Sequence, residues 1–263
     1  MYSLLTFLLL LFLTQAQDTV NEPSPPAFTF AQGGQDWGGL CATGQSQSPI
    51  NILTSSLFPI SDPYFSAVSL NIPPQLMPLQ DFMLPFYSAN GTVDAVFNDQ
   101  PFQQYLAETH FHLPGEHTID GLRYPLELHA SFIPASSSEA IRGLTLAVLF
   151  QEGAESQFID SYVNRRIVDF SLLLSSPVED YFYYSGGREV PDCSEPNLYI
   201  VPNRVFEIST DQLNALAGGP YAGSIGEADY HGLYRDIQPL NGRTVYHRVP
   251  IAESESFLLV ILP

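Results

Sequence analysis

Apolar positions along the chain show three patterns: one short, nearly pure run at the start, several segments alternating with a period of two, and two patches at helical spacing. The run, Leu4 to Leu13, has the length of a signal-peptide core and is too short to span roughly 30 Å of bilayer hydrocarbon. Thr14, Gln15 and Ala16 follow it as a small-residue cleavage site, so residues 1–16 are expected to be a signal peptide. Residues 17–27 carry Pro, Ser and Glu without periodicity and read as a mobile leader, which leaves 28–263 as the folded domain. The closing stretch Phe257 to Pro263 is apolar and predicts a last strand.

The strand-like segments are Val68 to Ile72, Thr92 to Asn98, Tyr105 to Leu113, Leu126 to Phe132, Leu144 to Gln151 and Asn197 to Val201. Turn signals at Asn90-Gly91, Asp120-Gly121 and Asn241-Gly242 separate or flank several of them. Helical spacing is confined to Gln157 to Leu174 and Ser209 to Ala217, the second capped by Ser209 or Thr210. No repeat of fixed period is visible. The expected class is mostly β (α+β): a single domain on a large, mostly antiparallel sheet, with short helices and loops at its periphery.

Composition supports one folded unit. Of 263 residues, 45% are hydrophobic and only 14% charged, enough apolar surface to outweigh chain entropy and to argue against disorder. The charge is lopsided: 28 acidic residues face nine basic ones, all arginine, for a formal net charge of −19. Such a surface repels phosphate backbones and anionic lipid, so nucleic acid is excluded as a partner. No further stretch is long enough to cross a bilayer, so no membrane span is expected once the signal is cleaved, and the protein is expected to be secreted. In that setting two cysteines most simply form one disulfide, Cys41 to Cys193; two free thiols are the alternative.

Candidate chemistry is concentrated in one forty-residue window. In Glu108-Thr109-His110-Phe111-His112, strand alternation puts His110 and His112 on one face with Glu108 beside them. Leu126-Glu127-Leu128-His129 alternates in the same way, after Arg123-Tyr124-Pro125 and the Asp120-Gly121 turn. Side by side, the two strands would bring three imidazoles together, and three neutral imidazoles leave one tetrahedral position of a zinc ion open. Glu108 and Glu127 each precede a ligand by two residues on its own face, where a carboxylate can orient an imidazole.

Three strings then resemble the signatures of the α-class carbonic anhydrases: DWGGLCATGQSQSPINI (Asp36 to Ile52), HFHLPGEHTIDGLRYPLELH (His110 to His129) and IQPLNGRTV (Ile237 to Val245). The resemblance runs from about residue 28 to 250. It implies a twisted central sheet of about ten strands with Zn2+ at the bottom of a cleft, held by His110, His112 and His129. Glu116 matches the buried glutamate that orients a gatekeeper hydroxyl, and His117 a structural histidine. Gln47 and Ser48 match cleft-supporting residues, and Ser48-Pro49 a bond that is cis in the family. Cys41 and Cys193 match the disulfide of secreted members, and Leu146 and Tyr199 align with walls of the gas pocket. The implied reaction is reversible hydration of carbon dioxide to bicarbonate by a zinc-bound hydroxide.

The chain departs from the family where the chemistry is most demanding. Gly187-Arg188-Glu189-Val190-Pro191-Asp192-Cys193 aligns with the family's S-L-T-T-P-P-C, so Glu189 stands where the gatekeeper threonine is expected. A carboxylate cannot donate a hydrogen bond unless protonated. Glu189 would therefore share a proton with Glu116 or ligate the metal itself. The shuttle position holds Thr92, which does not titrate near neutrality. Asn90-Gly91-Thr92 is also an N-glycosylation sequon, placing a possible glycan on Asn90 at the cleft. Phe30, Asp236 and Tyr199 replace a tyrosine, a proline and a tryptophan. Two functions follow: a secreted zinc carbonic anhydrase of reduced activity, or a non-catalytic zinc-containing binding or matrix protein whose protein partner the sequence does not name.

Overall fold

The computed structural model describes residues 28–60, 68–77, 90–97, 100–135, 143–218 and 232–250. The expected signal peptide, leader and closing strand lie outside the described residues. The described strands are, in chain order, β1 Asn51–Ile52, β2 Phe58–Ile60, β3 Ser69–Asn71, β4 Gln75–Leu76, β5 Thr92–Phe97, β6 Gln100–His112, β7 Thr118–Ile119, β8 Leu122–Arg123, β9 Leu126–Ile133, β10 Gly143–Glu152, β11 Ile167–Val168, β12 Tyr181–Gly186, β13 Asn197–Pro202, β14 Phe206–Ile208 and β15 Tyr246–Arg248.

Ten of these strands form one sheet, in the order β2-β15-β12-β13-β10-β9-β6-β5-β3, with β14 pairing β10 beyond the end of β13. Six of its nine pairings are antiparallel; β10 with β13, β10 with β14, and β15 with β2 are parallel. The sheet is therefore mixed but mostly antiparallel, as its alternating segments predict.

The central strands are buried on both faces. On β10, Leu144, Leu146, Val148 and Phe150 enter the larger core, while Ala147 and Leu149 enter a smaller one on the opposite face. β13 divides in the same way, with Leu198 and Ile200 on one side and Tyr199 and Val201 on the other. Leu146 is consequently not a wall of the imidazole site. Ala147 stands directly across from His129, so its neighbour Leu146 must point to the far face.

The helices are short. Gln157–Val163 is α-helical, with Ser156 accepting from the amide of Ile159. The helix does not continue to Leu174: Arg165 adopts φ 53°, Ile167 and Val168 pair with β4, and only Phe170–Leu172 forms a 3-10 turn. The apolar spacing past Val163 arises because Val168, Phe170 and Leu173 all reach the large core by separate routes. Thr210–Ala217 starts at Ser209 with a complete capping box to Gln212. Among the described residues, no helix is long and apolar enough to cross a membrane.

Candidate metal centre

The site depends on one irregularity in β6. Leu106 pairs with Phe132 of β9 and faces the large core, but the register shifts between Leu106 and Glu108, so Ala107 is an extra residue. The bulge reverses the alternation. Glu108, His110 and His112 therefore face away from the large core, on the same side as Glu127 and His129, with His110 directly opposite His129.

The imidazoles converge through particular nitrogens. His110 Nε2 and His112 Nε2 are 3.1 Å apart, and His112 Nε2 and His129 Nδ1 are 3.2 Å apart. Tetrahedral zinc with ligands at about 2.0–2.1 Å requires ligand atoms ~3.3–3.4 Å apart, so the trio fits a metal ion. The outward nitrogens fix the tautomers. His112 Nδ1 donates to the Leu233 carbonyl at 2.7 Å, and His129 Nε2 donates to Glu127 Oε1 at 2.6 Å. When the rings are neutral, the nitrogens facing one another carry lone pairs. Glu108 stands 3.9 Å from His110 Nδ1, beyond hydrogen-bond reach.

Glu127 is the hub of the support. Besides His129 it accepts from His117 Nδ1 at 2.6 Å, and from the amides of Glu116 and His117 at 2.7 and 2.8 Å. Burial alone would raise its pKa, but His117 and His129 together hold it well below the usual carboxylate range. His117, Glu127 and His129 also form a cluster compact enough to hold a cation. Because both rings point N–H groups at the carboxylate, that cluster is satisfied by hydrogen bonds alone. On its other side His117 Nε2 meets the Tyr184 hydroxyl at 2.7 Å, and Tyr184 bonds Ser48 Oγ at 2.9 Å.

Glu116 is fully buried. Its Oε1 accepts from the Arg235 amide at 2.7 Å, while Oε2 has no hydrogen-bond partner among the described residues. That oxygen is an open acceptor, as the resemblance to the family would have it for the partner of a gatekeeper hydroxyl. Burial raises the Glu116 pKa well above its ordinary value, and the charges of Glu189 and Glu127 add to the shift.

Glu189 enters the cluster itself. Its Oε1 lies 3.0 Å from His129 Nδ1 and 3.6 Å from His110 Nε2, and its Oε2 accepts a short hydrogen bond from the Tyr199 hydroxyl. The loop that carries it is tied down. Cys193 forms a disulfide with Cys41, Gln47 Nε2 donates to the Cys193 carbonyl at 3.0 Å, and Glu195 accepts from the same amide group at 2.6 Å. Ser48–Pro49 is cis. The Arg235 guanidinium bonds Gln47 Oε1, the Ser48 carbonyl and the Cys41 carbonyl, each at 2.8 Å, and so braces the same region.

Thr92 sits on the site's face of the sheet, since it pairs with Tyr105 and Tyr105 with Ile133, four residues along β9 from His129. That spacing is on the order of 13 Å. Its hydroxyl donates to Asp94 Oδ2 at 3.2 Å. Asn90 is exposed, its amide held by Gln75 Oε1 at 2.8 Å. Phe30 is buried with its ring edge-on to His112, 6.3 Å between centroids. Sequence reasoning did not find the Leu233 carbonyl, which has no side-chain signal, or the Tyr199–Glu189 bond, which forms only when β13 and the 187–193 loop meet.

Comparison with known proteins finds relatives over most of the chain. The family model for eukaryotic-type carbonic anhydrase matches residues 32–249. Alpha carbonic anhydrase 3 of Arabidopsis thaliana is 27% identical over 226 residues, covering 79% of this chain and 76% of its own. Dioscorin DB3L of Dioscorea polystachya is 26% identical over 253 residues, covering 86% and 87%. Among solved structures, the α-carbonic anhydrase of Thermovibrio ammonificans in complex with sulfanilamide superposes with a TM-score of 0.60 at 25% identity, over 79% of this chain and 89% of that one.

Proposed function

The chain belongs to the eukaryotic-type carbonic anhydrase family, and on that premise we propose that it is a secreted zinc protein that reversibly hydrates carbon dioxide to bicarbonate at a reduced rate. The observation that carries the reading is the convergence of His110 Nε2, His112 Nε2 and His129 Nδ1 at spacings of 3.1 and 3.2 Å. Zinc held there would act as a Lewis acid, lowering the pKa of a coordinated water to about 7.

The chain's own residues account for both the activity and its reduction. Glu127 and the Leu233 carbonyl hold two rings in the tautomer that turns a lone pair inward. Glu116 offers Oε2 as a buried acceptor, but no threonine stands at the position that aligns with the family's gatekeeper. Glu189 occupies that place and, ionised, only accepts hydrogen bonds. The nucleophile therefore lacks the partner that would fix its lone pair. Thr92 carries no proton away near neutrality, which slows return to the reactive state.

A second reading, a non-catalytic zinc-containing binding or matrix protein, is favoured by one observation: Glu189 Oε1 lies within 3.0 Å of His129 Nδ1, where a solvent ligand would otherwise sit. Stopped-flow hydration on zinc-loaded protein separates the two. The enzyme reading expects a rate above buffer that rises at least tenfold in Glu189→Thr. No rate above buffer, before and after deglycosylation, leaves only the binding protein.

A further inference from the structure

We propose that Glu189 is the fourth ligand of the metal in the resting protein, and that Tyr199 is the positioning residue that aims it there. This rests on the zinc reading above. The carboxylate oxygen Oε1 stands 3.0 Å from His129 Nδ1 and 3.6 Å from His110 Nε2, values on either side of the ~3.3–3.4 Å expected between tetrahedral ligands. Together with the three ring nitrogens it forms a set in which all four atoms lie within 4.8 Å of one another.

The arrangement suits a cation. In the neutral rings that bind a metal, the inward nitrogens of His112 and His129 are lone-pair acceptors, because their outer nitrogens donate to Leu233 and Glu127. A carboxylate oxygen is also an acceptor, and this one is buried, with Glu189 only 5% exposed. Acceptors facing one another at a largely buried site repel unless a proton or a metal cation lies between them. Zinc would supply that charge and satisfy all four at once.

Tyr199 settles which way the carboxylate turns. Its hydroxyl donates to Glu189 Oε2, leaving Oε1 directed at the imidazoles. The phenol is itself held: it stacks on Tyr184 with centroids 5.0 Å apart and planes at 10°, and its oxygen lies 2.9 Å from the Gly187 carbonyl. A carboxylate restrained at one oxygen loses little further freedom on ligation, so the resting centre is closed, and a water must displace Glu189 before hydration proceeds.

The test uses the full secreted protein with Zn2+ and Co2+ as probes. Zinc affinity by chelator competition is expected to fall at least tenfold in Glu189→Thr and Glu189→Gln, and several-fold in Tyr199→Phe. The cobalt visible spectrum of the wild type is expected not to respond to pH between 6 and 9 or to millimolar thiocyanate, whereas that of Glu189→Thr responds to both. Tyr199→Phe should show an intermediate thiocyanate response with unchanged thermal unfolding of the metal-free protein. A wild-type cobalt spectrum that shifts with thiocyanate as the variant's does overturns Glu189 ligation while leaving the three-histidine reading intact. Failure of the wild type to bind either metal overturns both.

Discussion

Glu127 Oε1 accepts from His129 Nε2 at 2.6 Å, and this one contact decides which nitrogen of His129 faces the other imidazoles. Because the same carboxylate also holds His117 and two backbone amides, it cannot turn away without leaving several buried donors unpaired. Glu127→Gln keeps the shape but presents a single carbonyl to two ring N–H groups. Zinc affinity should fall 10- to 100-fold, the range typical of residues that orient a metal-binding histidine. Chelator competition measures it, and an affinity within twofold of wild type would show that Glu127 serves packing only.

The loop that carries Glu189 depends on Cys41–Cys193, a link spanning 152 residues. A bridge closing so long a loop stabilises by about 4 to 5 kcal/mol if chain entropy dominates. The double variant Cys41→Ser/Cys193→Ser should therefore unfold at much lower urea. It should also bind zinc less tightly, because the 187–196 segment would then be held by hydrogen bonds only, among them those of Gln47 with Cys193 and Glu195 and of Tyr199 with Gly187. If urea unfolding shifts but zinc affinity does not, the bridge supports the fold without organising the site.

β12 and β13 bury several phenols in apolar surroundings. Burial pushes the Tyr183 hydroxyl up to about 12 and raises Tyr181 further still. For a group whose folded pKa is raised, the stabilisation is full below the unfolded pKa of about 10 and is lost as pH climbs through the folded value. Unfolding free energy should hold constant to about pH 10 and then decline steeply towards pH 12. Ultraviolet titration of tyrosinate should show a late class of phenols that ionise together with loss of structure. Titration of every tyrosine near pH 10 while the fold persists would contradict the burial argument.

Much of the site was legible because strand alternation is a local rule. His110 and His112 are two residues apart, so any extended conformation puts them on one face, and the same holds for Glu127 and His129. Which face that is depends on Ala107, whose bulge reverses the alternation relative to Leu106, and no residue type there announces it. Leu146 shows the converse: alignment made it a pocket wall, but its in-register neighbour Ala147 takes that side of the sheet. The helix expected over Gln157 to Leu174 ended early for a related reason, since apolar spacing cannot distinguish a continuing helix from separate segments that return to one core. Glu189 was recognisable as a departure from the family, but its bond to Tyr199 joins a loop to a strand and exists only in the folded chain.

Thr92 bears on the order of steps. It lies on the same face as the imidazoles, two strands across from His129 and on the order of 13 Å further along the strand direction, with its hydroxyl committed to Asp94. A histidine there could export protons near neutrality, but only if proton export limits the cycle. If Glu189 closes the site as proposed, entry of water would be the slower step, so Thr92→His alone should leave hydration in dilute buffer within twofold of wild type. Once Glu189→Thr opens the site, proton export becomes limiting, and adding Thr92→His should raise kcat several-fold in dilute buffer while leaving kcat/KM unchanged. Stopped-flow hydration across a series of buffer concentrations measures both effects. If the single Thr92→His variant is faster in the wild-type background, proton export already limits there and Glu189 is not the barrier.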